Sequence, residues 1–417
     1  MRKKIIYITA AIIVVLVGIV IYFSAQKINQ LTTQSNQNGS LPNIGLSGTN
    51  NNGVNQSSTT TLASSSINQN LNVVSDEQVL NYFVEKDSSI IIINNSGNII
   101  SINGNNKNTI SSLGIQNIIK TSFSYDGSKL LVNFGDVNNP QTSVFDINNK
   151  SWIPLSVGMI SPVWAPDSYK IAYLTNNKDY TETLNIIDIS KTKPVISKVM
   201  TLHILDLSLN WVLKNEILLS DKPSAYTLSS VWSLNLTNKT LNSIITQNRG
   251  LELLWGNNAT NTLVGIEFIA NKSLVGGQSN IIDSTGNETA NLNFITLPSK
   301  CDFNEYSENN SITNNSTTTS STQIRQTTST INNSYLALYC AVPRDQNVLA
   351  ASPLPDLYDQ KGLFTSDNIY RINISSGNID TLFNDQNQNI DVSKIKIFNN
   401  NLYFINRLDQ KLYSLSF

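Results

Sequence analysis

One unit returns every 40 to 50 residues along this chain, and it limits the fold more than any other feature. The unit reads aromatic residue, polar turn, apolar strand. Clear copies are FSYDGSKLLVNF (123–134), VWAPDSYKIAYLT (163–175), NWVLKNEILLS (210–220) and LWGNNATNTLVGI (254–266), and looser ones occupy 83–93, 339–352 and 397–407. Each is followed by a strand–turn–strand unit such as TSVFDINNKSWIPL (142–155), TLNIIDISKTKPVIS (183–197) or NIYRINISSGNIDTLF (368–383). Asn, Gly and Asp punctuate the turns, and no segment after residue 76 carries a helical period. Taking Phe83, Phe123, Trp164, Trp211, Trp255, Cys340 and Phe398 as equivalent gives gaps of 40, 41, 47, 44, 85 and 58. The 85 becomes ordinary once the Asn/Ser/Thr tract 307–334 is removed, so a low-complexity loop is expected at about 305–334. The 58 contains the Pro-rich segment 352–362. Four strands at this period are the signature of a β-propeller blade. The expected fold is therefore all-β: a β-propeller over 76–417 with about seven four-stranded blades, six or eight fitting the same spacing. The copy QKLYSLSF (410–417) lacks its outer strand, and either QVLNYFVE (78–85) or LNVV (71–74) could supply it.

The propeller is expected to follow a transmembrane α-helix. Residues 5–23 form an uncharged apolar run, long enough to span a hydrocarbon core of about 30 Å at about 1.5 Å per residue. Arg2, Lys3 and Lys4 make residues 1–4 a cytoplasmic stub and place the C-terminal side outside the cytoplasm. The alternative is a cleaved signal peptide, but such peptides have shorter apolar cores and small residues before the cut, where this chain has Phe23. Residues 24–75, rich in Asn, Ser, Thr, Gln and Gly, read as a disordered tether too poor in apolar groups to offset the entropy of ordering. Its reach is about 40 Å. The expected localisation is a single-pass protein of the cell membrane.

FSYDGSKLLVNF and VWAPDSYKIAYLT resemble the repeat of TolB-like, WD40-like propellers, which reads aromatic-S-P-D-G-x-x-[IL]-[AV]-[FY]. The second copy keeps Trp164, Pro166, Asp167, Ile171, Ala172 and Tyr173, with Ser168 at the usual Gly. The first keeps Phe123, Ser124, Asp126 and Gly127, with Tyr125 at the usual Pro. The resemblance implies a propeller that binds envelope proteins. Members of that family carry an α/β domain ahead of the propeller, where this chain has the tether.

Composition narrows the chemistry. Net charge is −1 and only 14% of residues are charged, with no basic stripe after Lys4, so no nucleic-acid partner is expected. One histidine, His203, and two cysteines leave little for a His/Cys metal centre. Cys301 and Cys340 bracket the low-complexity tract, and in an extracytoplasmic head they are expected to form a disulfide, the alternative being two buried thiols. Asp385, Asn387, Asn389 and Asp391 have the alternate spacing of a calcium loop. Ile390 stands where such a loop needs Gly and Lys396 where it needs Glu, so a polar turn is the expectation and no metal or other cofactor is assigned. SYDG (124–127) matches the start of a sialidase Asp box whose remainder is absent. The head's arginines, Arg249, Arg325, Arg344, Arg371 and Arg407, are scattered, and His203 sits among apolar residues as a packed or turn histidine. No catalytic constellation stands out. The expected function is a non-catalytic binding or scaffold module of the cell envelope, held to the bilayer through residues 5–23 and engaging an envelope protein or surface polymer. The alternative is an extracytoplasmic enzyme acting on glycan or peptide in the central channel.

Overall fold

The computed structural model describes the backbone of residues 44–46, 70–257, 262–315 and 326–417, and side chains over 71–257, 262–306 and 334–417. The helix expected over 5–23 lies outside the described residues, as does the tether apart from 44–46 and 70–75. Among the described residues no helix is long and apolar enough to cross a membrane.

Seven antiparallel sheets follow one another along the chain, each a meander whose first strand is innermost. Blade 1 is Val79–Val84, Ile90–Asn94, Ile99–Asn103 and Asn106–Ser111. Blade 2 is Ile118–Phe123, Lys129–Asp136, Asn139–Asp146 and Ser151–Pro154. Blade 3 is Ile160–Trp164, Lys170–Asn176, Glu182–Asp188 and Val195–Leu202. Blade 4 is Ser208–Leu213, Glu216–Ser220, Leu228–Asn235 and Thr240–Arg249. Blade 5 is Glu252–Asn257, Leu263–Ala270, Gly277–Asp283 and Glu288–Leu292, with Ile44–Leu46 paired outside it as a fifth strand. Blade 6 is Cys301–Asn315, Gln326–Pro343, Asp367–Asn373 and Ile379–Phe383. Blade 7 is Val392–Phe398, Asn401–Asn406 and Leu412–Ser416, completed by Asn70–Ser75.

Three boundaries differ from the sequence reading. LNVV (71–74) closes blade 7, in register from Asn70↔Ser416 to Ser75↔Leu412, while QVLNYFVE supplies the innermost strand of blade 1. The folded unit therefore takes in residues assigned to the tether. The loop expected at about 305–334 begins as a hairpin ladder, running from Cys301↔Cys340 to Asn315↔Gln326, and only 316–325 lie outside the described residues. Cys340 is on the second strand of blade 6, so the innermost-strand aromatic equivalent to Trp255 is Phe303. Gly256 of blade 5 admits the Phe303 ring, because a side chain there would overlap it.

The core is a set of layers between neighbouring blades. Ile93, Leu130 and Phe145 join blades 1 and 2. Leu131, Trp164 and Ile171 join blades 2 and 3. Blades 3 and 4 meet through Leu174, Trp211 and Ile217. Val231, Leu251 and Ile282 join blades 4 and 5. Ile266, Leu338 and Cys340 lie between blades 5 and 6, and Tyr339, Phe383 and Phe404 between blades 6 and 7. Val79, Ile92 and Tyr403 pack blade 7 on blade 1, which completes the ring. Each blade is thus covered on both faces. That is why the second strand of blade 1 is four consecutive isoleucines, all buried, each worth about 1.5–3 kcal/mol of burial. Burial on both faces extends to the third strands, where Val144, Phe145, Asp146 and Ile147 of blade 2 are all buried.

The repeat's turn residues also join blades. Gly127 has φ +74°, and an added Cβ would strike the Phe83 ring of blade 1. Asp126 accepts hydrogen bonds from Ser124 Oγ (2.8 Å) and, across to blade 3, from Tyr169 Oη (2.6 Å). In the second copy the turn needs no left-handed residue at this position, which is why Ser168 is tolerated there.

Candidate functional site

The seven innermost strands face the channel, and most of their residues are apolar or neutral. Charges among their described side chains are few: Lys120 on blade 2, Glu252 on blade 5, Asp302 and Glu305 on blade 6, and Lys394 and Lys396 on blade 7. Asp302 and Lys396 neutralise each other at 2.9 Å. Burial raises the Asp302 carboxyl above its ordinary range, against the pull of Lys396.

A cavity of about 460 Å³ opens among the innermost strands of blades 2 to 5. Trp164, Trp211 and Trp255 wall it, Asn210 and Ser208 add neutral polar groups, and Lys120 and Glu252 are its two charged residues. The rings are fixed by their packing between blades: Trp164 Nε1 donates to Ser122 O at 3.0 Å. Glu252 Oε1 accepts from Ser299 N at 2.7 Å, while its Oε2 is buried with no hydrogen-bond partner. Burial pushes the Glu252 carboxyl up to about 7, and nearby Asp359 pushes the same way against Ser299 and Lys300. Burial also lowers Lys120. It lowers Lys394 to about 8, with the Lys120 ammonium adding to the effect.

Strands alternate in direction, so the loops joining second to third strands open at the end where each innermost strand begins. In blade 6 this loop is a long excursion with short helices Gln346–Ala350 and Asp356–Asp359. Asp356 accepts from Ser224 Oγ (2.8 Å) and Ala225 N (2.7 Å), and Leu349, Leu354 and Tyr358 pack on Phe268 and Ala270, so the excursion rests on blades 4 and 5. Its base is a buried ion cluster. Lys300 Nζ lies 2.7 Å from Asp391 and 2.8 Å from Asp367, and Arg407 lies 2.8 Å from Asp391. Burial opposes the Lys300 charge, but Asp367, Tyr358 and Asp391 outweigh it and hold the ammonium above its usual range. Lys300 Nζ also donates to Tyr358 Oη and Thr365 Oγ1, each at 3.1 Å.

The residues singled out in the sequence fall as follows. Cys301 and Cys340 are directly opposed on the first two strands of blade 6 and are disulfide bonded. Asp385, Asn387, Asn389 and Asp391 do not converge. Asp385 Oδ1 accepts from Asn387 N (2.9 Å), Asn389 Oδ1 accepts from Ser366 Oγ (3.2 Å), and Asp391 turns inward to Lys300 and Arg407. No cluster of metal-ligating side chains occurs among the described residues. His203 is exposed at a bend after the outer strand of blade 3. Arg344, Arg371 and Arg407 serve separate partners: the Asp385 carbonyl, Asp380 and Asp391. Lys120, Glu252, Lys300 and Lys394 were not singled out from sequence. Their signal is a lone charge interrupting an apolar strand, as in IIKTSF and LELLW, or, for Lys300, a charge at a strand's edge.

No family model matches the chain, and no curated protein matches it. Among solved structures, it is similar to an oligogalacturonate lyase in complex with manganese, at 10% identity and TM-score 0.50, covering 83% of this chain and 92% of that one. It is similar to the β-propeller domain of the Trilobed protease from Pyrococcus furiosus, at 10% identity and TM-score 0.46, covering 81% and 94%. It also matches the tricorn protease at 9% identity and TM-score 0.44, covering 83% of this chain and spanning only 34% of that protease. At 10% identity the likeness to the lyase bears on the fold alone, and the seven blades are those of the sheets described above.

Proposed function

We propose that this chain is a membrane-tethered, extracytoplasmic propeller that acts as a binding or scaffold module of the cell envelope, holding its ligand at the channel cavity between blades 2 and 5. The observation that carries the reading is that cavity. A rigid β-wall presents three tryptophan rings beside one cation and one carboxylate, the combination of apolar area and few polar anchors that orients a ligand. The apolar run 5–23 behind Arg2, Lys3 and Lys4 supports the tether. The Cys301–Cys340 disulfide supports an oxidising compartment. The repeat's TolB-like turns are in keeping with an envelope partner. The test uses the full-length chain in cells. It should stay in the membrane through an alkaline wash, and a photo-crosslinker at Asn210 in the cavity should capture one dominant partner. Equal capture from Lys193 on the outer edge of blade 3, or a chain released by the wash, would overturn the reading.

One observation favours the enzymatic alternative on glycan or peptide. Glu252, held near 7 with an unpaired buried oxygen, has the proton affinity of a general base at neutral pH. On that reading Glu252→Gln abolishes turnover and leaves ligand capture intact. On the binding reading it alters capture alone.

A further inference from the structure

We propose that Lys120 and Lys394 together form an anion seat at the channel axis, so that the ligand of the cavity carries a carboxylate or phosphate group. The inference rests on the cavity being the ligand's seat.

Three observations converge on it. The two lysines approach the same point of the ring from opposite sides of blade 1. Lys394 Nζ donates to Leu80 O, and the neighbouring Asn81 Nδ2 donates to Thr121 O (3.0 Å), next to Lys120. Blade 1 brings no charge of its own between them, its innermost strand being VLNYFV. Second, among the described residues neither ammonium is paired with a carboxylate, whereas the third channel lysine, Lys396, is paired with Asp302. Glu252 is bound to Ser299 N on blade 5's side of the cavity and neighbours Asp359 and Lys300 rather than either lysine. The axis thus carries two uncompensated cations on the side of blades 1, 2 and 7. Third, the seat is built into the backbone. Lys394 has φ +53° at a bulge between Ser393 and Lys396, and Tyr82 Oη fixes its carbonyl at 2.6 Å. A bulge of this kind re-aims a side chain out of the regular alternation. Both lysines lie on innermost strands with part of their surface open, and the protein around them depresses both ammonium groups, as expected of cations that lack a counter-charge. Lys120 also lines the tryptophan cavity. An oxyanion held by the two lysines would therefore leave the rest of its molecule against Trp164, Trp211 and Trp255.

The full-length chain in lipid nanodiscs provides the test through its tryptophan fluorescence. Iodide, caesium and acrylamide serve as anionic, cationic and neutral quenchers. Iodide is expected to quench about threefold more effectively than caesium at low ionic strength, through the raised local anion concentration. Lys120→Met/Lys394→Met should erase that preference and leave acrylamide quenching unchanged. Lys120→Arg/Lys394→Arg, which keeps the charge, should retain the preference and serves as the folded control. Equal iodide and caesium quenching in the wild type, with acrylamide effective, would overturn the anion seat and leave the cavity reading standing. Failure of acrylamide to reach the tryptophans would overturn the cavity itself. Inorganic phosphate and glucuronate then compete with iodide. Relief by phosphate alone assigns a phosphorylated ligand, and relief by glucuronate alone assigns a carboxylate. Relief by both supports the seat for either oxyanion, and relief by neither overturns it.

Discussion

Lys300 concentrates more interactions than any other buried polar side chain described, and its neighbours show what losing it would do. Asp367 and Asp391 are both fully buried, and Asp367 Oδ1 has no hydrogen-bond partner, so the lysine is their main compensation. Lys300→Met should cost about 3–5 kcal/mol, because it leaves the buried Asp367 without a cation and Asp391 with Arg407 alone, and a denaturant melt reads this directly. Protonation at Glu252 and Glu267 gives a second expectation. Both carboxyls are raised from 4.5 to about 7 in the fold, chiefly by burial. Between those values the native state holds more protons than the unfolded chain, so their contribution is present below about pH 4.5 and lost as pH rises through about 7. Stability should fall across that window, and Glu267→Gln should flatten the fall in melts taken from pH 5 to 8. None of this was legible in the sequence. Asp391 reads locally as one oxygen in an Asn-rich turn, and only the closing of blade 6 on blade 7 brings Lys300 to it. Lys120 and Lys394 stood out no better, since strand alternation says which residues share a face but not which face meets the channel.

Blade 6 is the element where sequence and structure part most. Its first two strands continue into the Asn/Ser/Thr tract, whose composition has no apolar period to mark a strand, so the repeat's spacing points to Cys340 where the innermost strand carries Phe303. The disulfide stands at the base of that hairpin, buried between blades 5 and 6. Reducing it, or making Cys301→Ser/Cys340→Ser, should cost about 2–4 kcal/mol, seen as a lower calorimetric Tm in dithiothreitol that the double variant reproduces without reductant. Blade 2 is the most legible, because its turn follows the repeat: Gly127 takes the positive φ, and Asp126 accepts from Ser124 within the turn and from Tyr169 of the next blade.

At the scale of the molecule the period of the repeat was enough to predict a ring, since layers between neighbours are the only place for so many buried second strands. The closing strand does not follow from the period, because LNVV and QVLNYFVE are equally strand-like and only pairing separates them. Closure depends on Leu71, which packs between blades 6 and 7, and Val74, which packs between blades 7 and 1. Leu71→Asp/Val74→Asp should free the edge of Leu412–Ser416, an exposed strand that invites pairing with other chains. Size-exclusion chromatography should then show oligomers where the unaltered chain elutes as one species.

That clasp also sets an order of events during synthesis. Asn70 leaves the ribosome long before Ser416, its register partner, so the early strand must wait through the making of six blades with its hydrogen-bonding edge unanswered. Such distant pairing is slow to form, and the nascent chain is most exposed to wrong partners in that interval. A helper that shields residues 70–75 during biogenesis would therefore act before the ring exists, and would have nothing left to hold once it has shut.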